Sequence, residues 1–295
     1  MVYTSVATGL AAAFCWGTAD YLSRSQSERV GYYRTIIYSH MVTLAVVLAL
    51  VPLISPALAF PTYPVLALIG AGVINFVAFL FLYQAFHKGV VSVVAPVVYT
   101  YPAVTAVLAV AILGASLSLA QVGALAGIMA GVILLSTRFS ELHAYLRGAR
   151  APSLTNGVGL ALGASVCFGM VYIGIGYAAP SVSVVLPVMF LRIIAVSAGF
   201  LLAPVLKQEA RPSRLVLSER MVAMGVLEAF GFLAFTYGIS AAGSALPVVT
   251  ALSGMGGAVA ASYGLAFLRE RLEPNQVLGV VLSLVGVFVL LYLGG

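Results

Sequence analysis

Ten apolar runs, each about 20 residues long and nearly free of charge, make up most of this 295-residue chain. As an α-helix, a run of that length spans the hydrocarbon core of a bilayer. The runs fall at roughly 4–22, 31–53, 63–86, 90–112, 118–136, 156–178, 183–206, 220–240, 244–268 and 274–293. Charged residues are 7% of the chain and hydrophobic ones 62%, with a mean hydropathy of +1.13. A soluble domain carries about 25% charged residues. In bare hydrocarbon a helix satisfies its own backbone groups, and runs this long without alternation exclude a β-barrel. The expectation is an all-α membrane protein with ten transmembrane helices.

The few charges are distributed unevenly. The linkers and span edges after runs 1, 3, 5, 7 and 9 hold 13 of the 14 basic residues, from Arg24, Arg29 and Arg34 to Arg269 and Arg271. The linkers after runs 2, 4, 6 and 8 hold none. Basic loops stay on the cytoplasmic side, so both termini are expected outside, in a bacterial-type inner membrane. The net charge of +6 follows from these loops and describes insertion, with no nucleic-acid partner implied. The basic residues follow the first run, the reverse of a cleavable signal peptide. Cys15 and Cys167, both inside apolar runs, suggest neither a disulfide nor a metal site.

The two halves repeat one another. Cys15-Trp16-Gly17 matches Cys167-Phe168-Gly169, and Gly72-Val73-Ile74-Asn75 matches Gly225-Val226-Leu227-Glu228. Ala95-Pro96-Val97-Val98 matches Leu246-Pro247-Val248-Val249, Gln121-Val122 matches Gln276-Val277, and Tyr32-Tyr33-Arg34 matches Phe190-Leu191-Arg192. Five matches in order indicate a duplication. Each half holds five runs, an odd number, so the second copy enters the membrane from the opposite side. Inverted repeats of this kind mark secondary transporters, whose solute site lies near the midplane between the halves. The expected division is 1–136 for the first five-helix repeat, 137–155 for a cytoplasmic linker and 156–295 for the second repeat.

These features resemble the drug/metabolite transporter (DMT) superfamily, specifically its ten-helix EamA-type exporters. The residues that carry the resemblance are Trp16-Gly17 and Phe168-Gly169, Arg34 and Arg192, and the segment Leu268-Arg269-Glu270-Arg271-Leu272 followed by Gln276 and Gly279. The equivalent segment of the first repeat, Gly114 to Ser118, lacks the acid and the base. The resemblance implies two inverted repeats, transport rather than catalysis, and cargo drawn from amino acids, metabolites, drugs and sugars. The aromatic-rich centre is most similar to the aromatic amino acid exporters of the YddG type.

Polar groups at depth are the candidates for function, because each costs free energy, roughly 2.5–3.5 kcal/mol for a carboxylate on insertion scales, and should face a cavity or a partner. Glu228 lies near the middle of run 8, and Arg192 is the only basic residue at depth. They form either a buried pair that tightens packing, or an amine-recognising or proton-coupled acid with a carboxylate clamp. Helical spacing puts Asn75, Phe79 and Tyr83 on one face of run 3, and Glu228, Phe232 and Thr236 on one face of run 8. Trp16, Tyr99, Tyr101, Phe168 and Tyr172 complete the mid-depth aromatics, whose faces attract an ammonium group. The expected solute-binding set is therefore Trp16, Asn75, Phe79, Tyr83, Tyr99, Tyr101, Phe168, Tyr172, Arg192, Glu228 and Phe232.

Other features read as architecture. Gly123, Gly127 and Gly131 form a small-residue ridge, Gly254, Gly256 and Gly257 thin run 9, and Pro96, Pro102 and Pro247 kink runs 4 and 9. His40 is expected to be a hydrogen-bonded structural histidine; Asp20 and Glu270 are expected to neutralise nearby arginines at the cytoplasmic ends. No H-E-x-x-H, intramembrane-protease or phosphate-loop motif is present, so an intramembrane enzyme is disfavoured, and ATP or another cofactor is not expected. The reading is a secondary exporter of aromatic and other bulky neutral amino acids, functional as a monomer. A quaternary amine exporter or a passive facilitator of the same build is the alternative.

Overall fold

The computed structural model describes residues 2–54, 58–113, 118–136, 139, 156–212, 218–241 and 246–292, and all of its regular structure is helical. The first repeat runs α1 (Val2–Val30), α2 (Tyr32–Ile54), α3 (Thr62–Lys88), α4 (Val91–Val98), α5 (Tyr101–Leu113) and α6 (Leu119–Ser136). The second runs α7 (Val158–Ala178), α8 (Val185–Leu202), α9 (Glu219–Ala241), α10 (Leu246–Ser253), α11 (Gly256–Phe267) and α12 (Pro274–Tyr292). Helices α2, α3, α7, α8 and α9 are each long and apolar enough to cross a membrane. Large apolar side chains such as Phe14, Val73, Phe230 and Phe288 are exposed in mid-helix, as a lipid-facing surface requires. The expected linker 137–155, apart from Phe139, and the segment 114–117 lie outside the described residues.

Two of the ten crossings are broken. The fourth splits into α4 and α5 at Tyr99-Thr100, and the ninth into α10 and α11 at Gly254-Met255. Pro102 has no N–H to offer the Val98 carbonyl, so the helical ladder lapses there. The two breaks occupy equivalent places in the repeats. Discontinuous helices lining a cavity are what membrane-buried backbone tolerates.

Most contacts between the halves have a mirror. Helix α1 packs on α9 and α11 of the other repeat, while α7 packs on α3 and α5. Helices α2 and α8, and α6 and α12, pair with their own counterparts across the axis. Glycine allows the closest crossings. A Cβ at Gly17 would lie 2.5 Å from the Gly256 carbonyl oxygen and 2.7 Å from Val259 Cβ on the broken ninth crossing. Its mate Gly169 faces Val104 and Thr105 on the broken fourth. Of the expected ridge in α6, only Gly131 packs, against Ser283 and Gly279; Gly123 and Gly127 face open space, because α12 runs along the face that carries Ala124, Ile128 and Gly131.

Basic loops after crossings 1, 3, 7 and 9 converge at one end of the bundle. Arg24 donates to the carbonyls of Phe86 and Gly89, Arg220 to Ser25 Oγ, and Arg34 pairs with Glu209. Among the described residues Glu270 pairs with no arginine there. Arg269 adopts a left-handed conformation (φ 53°) just beyond α11. The next carboxylate then accepts from the Val91 and Ser92 amides at 2.9 and 2.8 Å, capping α4 of the opposite repeat.

Candidate functional site

A narrow cavity of about 30 Å³ lies between the repeats, well below the ~300 Å³ at which small-molecule sites usually begin, so a bulky solute needs the walls to part. Trp16, Ala19 and Asp20 line it from α1, Phe79 and Leu82 from α3, and Val98, Tyr99 and Tyr101 from the broken fourth crossing. Phe168 and Tyr172 reach it from α7, and Glu228 and Phe232 from α9. The repeat motif is thereby explained. In Trp16-Gly17 and Phe168-Gly169 the aromatic ring enters the cavity, and the glycine lets its helix press against the other half's broken crossing.

The rings form a continuous wall. Trp16 meets Phe232 edge-on with centroids 4.8 Å apart, Tyr101 lies 4.6 Å from Tyr172, and Phe79 is 5.3 Å from Phe168. Such pairs hold one another in place, since edge and offset geometries suit the ring quadrupoles. The Tyr101 hydroxyl shares a hydrogen bond of 2.6 Å with Ser253 Oγ beside the ninth-crossing break. Gly256 and Gly257 admit the Tyr99 ring, which a Cβ at either position would strike. The aromatic floor is thus built across both breaks.

Behind the wall lies a knot of polar groups around Glu228. Its Oε1 accepts from the Tyr83 hydroxyl at 2.6 Å. Its Oε2 lies 3.3 Å from Thr43 Oγ1, 3.5 Å from Arg192 Nη2 and 3.6 Å from His40 Nε2. Arg192 also donates from Nη1 to Asn75 Oδ1 at 3.2 Å. Its guanidinium is sandwiched between Phe79 and Phe232, 5.1 and 4.4 Å from their centroids, in cation–π geometry. Eight of the eleven expected residues therefore line the cavity: Trp16, Phe79, Tyr99, Tyr101, Phe168, Tyr172, Glu228 and Phe232. Asn75, Tyr83 and Arg192 stand behind it, fully buried, as the outer layer that holds Glu228. His40 takes no hydrogen bond at either ring nitrogen and meets Phe79 edge-on at 4.4 Å.

Asp20 departs most from expectation. It is 6% exposed and lines the cavity, as Tyr99 does. The basic residue one turn on, Arg24, is turned away to Glu28 Oε1 at 2.6 Å and to the loop carbonyls. The signal for Asp20 was present in the sequence: Trp16 and Asp20 are four apart and share a helix face.

A sequence profile of the EamA-like transporter family matches residues 4–137 and, a second time, residues 155–292. The chain belongs to the EamA-like transporter family. As a member it is a multi-pass membrane protein that transports small molecules, and the family's activity is transport rather than catalysis. No curated protein sequence matches the chain. A solved crystal structure, titled only as that of a protein, superposes with a TM-score of 0.68 at 17% identity, covering 99% of both chains. At that identity the likeness speaks for the fold. The double EamA match and the paired breaks describe the same duplication, one in sequence and the other in backbone.

Proposed function

We propose that this EamA-like transporter exports small solutes that join an aromatic or bulky apolar body to a protonated nitrogen. Aromatic and other bulky neutral amino acids, the cargo of YddG-type exporters, fall in this class. The observation that carries the reading is the cavity wall. Seven aromatic rings and two carboxyl groups face it, and no lysine, arginine or histidine does among the described residues. A ring face and a carboxylate both favour an ammonium group. Nucleotide sugars and sugar phosphates carry two or more negative charges and would need cationic groups on the wall to replace their hydration. Release to the far side follows from rocking one repeat against the other, with the basic loops on the cytoplasmic side.

A second reading within the class, amines that carry no carboxylate, is favoured by the position of Arg192. Its guanidinium is engaged by Glu228 and Asn75 behind the wall, which leaves a substrate carboxylate without a cationic partner. Trp16 Nε1 is buried without a partner, but it packs beside Gly231.

Counterflow in proteoliposomes tests the proposal, with a panel of tryptophan, phenylalanine, tryptamine, choline, glucose and glucose 6-phosphate. Exchange of the aromatic ammonium compounds is expected, with glucose 6-phosphate left behind. Exchange of glucose or its phosphate alone would overturn the proposal. Repeating the assay across a pH gradient separates a proton-coupled carrier, which accumulates solute, from a passive facilitator, which does not.

A further inference from the structure

The cavity holds two acids whose surroundings differ. Glu228 has both oxygens engaged: Tyr83 on one, Thr43, Arg192 and His40 around the other. Its charge is balanced by Arg192, and its position is set by helices of both repeats. Asp20 is also buried and on the wall, yet no basic side chain pairs with it among the described residues. A phenol, Tyr99, lines the same cavity. The ionisable groups that share the cavity with it are Glu228 from α9, Tyr99 and Tyr101 from the fourth crossing and Tyr172 from α7, with Tyr83 of α3 behind Glu228. None of them brings a positive charge.

We propose that Asp20 is the group that binds the cationic nitrogen of the substrate, and that it selects aromatic amines over zwitterionic amino acids. The inference rests on the reading of the cavity as an aromatic-ammonium site and names the residue and the preferred charge within it. A carboxyl group at this depth has two balanced states. In one it keeps its proton and bonds with Tyr99; in the other it is ionised against an ammonium group held among the rings of Trp16, Tyr99 and Tyr172. Entry of the ammonium compound converts the first into the second, and the carboxyl proton leaves to water. Each bound cation thus displaces one proton. With Glu228 and Arg192 already neutralising each other, a monocation completes the charge balance. A zwitterion brings a carboxylate that finds no free cation on the wall.

The test uses purified full-length protein in weakly buffered detergent solution, with tryptamine and tryptophan as probes. Wild-type protein should bind tryptamine about tenfold or more tighter than tryptophan and release about one proton per bound tryptamine. Asp20→Asn should weaken tryptamine binding about thirtyfold or more and abolish proton release, because a buried charge pair has lost one member. Asp20→Glu should restore release. If Asp20→Asn does not fold, Tyr99→Phe serves: it keeps the acid but removes its partner, so the pH of half-maximal tryptamine binding should move. Wild-type affinity and proton release in Asp20→Asn, or an unmoved pH midpoint in Tyr99→Phe, would overturn the assignment of Asp20 and leave the cavity reading standing. If wild-type protein binds and exchanges neither probe, the functional reading fails and takes the assignment with it.

Discussion

Glu228 accepts from Tyr83 and faces Thr43, Arg192 and His40, so its carboxyl group and the Arg192 guanidinium form a buried pair. Removing one member of such a buried pair strands the other, at a cost of roughly 3–5 kcal/mol, whereas replacing both by groups of similar volume is often near neutral. Glu228→Gln should therefore lower the thermal midpoint in detergent sharply, and Glu228→Gln with Arg192→Met should recover most of the loss. A double variant no better than the single one would show that the pairing is not what holds this region. Both residues were legible as charges interrupting apolar runs. Their separation into a wall acid and a buried counter-ion was not, because which side of a helix faces a cavity depends on the neighbouring helices. Asp20 was misread for a simpler reason. Reading the first span to end near residue 22 places Asp20 at a membrane edge, but α1 continues to Val30, nearly three turns beyond it.

At the level of helices, glycine and a single capping acid decide how the repeats meet. Gly17 and Gly169 are equivalent in sequence, but an added Cβ meets a backbone carbonyl and Val259 Cβ at the first and the movable Val104 side chain, 2.8 Å away, at the second. Gly17→Ala should cost about 1–3 kcal/mol through overpacking. Gly169→Ala should cost less, since its nearest clash is with a side chain rather than a backbone carbonyl; the helix propensity of alanine offsets part of the strain at both sites. Thermal unfolding of the two variants side by side checks the order. Glu270 joins the ninth crossing to the start of α4 through two amide bonds. Glu270→Gln keeps one acceptor and loses the charge, a change worth about 1 kcal/mol at a helix cap. That is about a fivefold shift toward opening at this end. A thiol introduced at Ala19, in protein lacking Cys15 and Cys167, should then react correspondingly faster with a water-soluble maleimide. The motif around Glu270 was visible in sequence. Its partner was not, because an acid that caps a distant helix looks the same as one that balances the arginines beside it.

Across the whole molecule, the ten crossings and the duplication could be read from hydropathy and matched segments, since a bilayer fixes helix length and an odd repeat fixes inversion. The breaks at Tyr99-Thr100 and Gly254-Met255 could not be placed from hydropathy, which is continuous through both. The one-sided basic loops predict orientation: a phosphatase fusion at Gly295 should be active outside the membrane, and one at Arg147 inactive. The reverse pattern would invert the molecule without changing its fold. The knot at Glu228 has a mechanical consequence. It ties α2 and α3 of one repeat to α8 and α9 of the other, so the two bodies can pivot about it but cannot part there without stranding charge in a dry interior. In the proposed rocking it would serve as the axle, and displacement grows with the length of the lever. Glu219 lies nine residues along α9, about 14 Å away, so a turn of about 15°, as in known subunit rotations, sweeps it about 4 Å. Spin labels flanking residue 228 should hold a constant separation through the transport cycle, while labels near Glu219 and Arg24 change theirs.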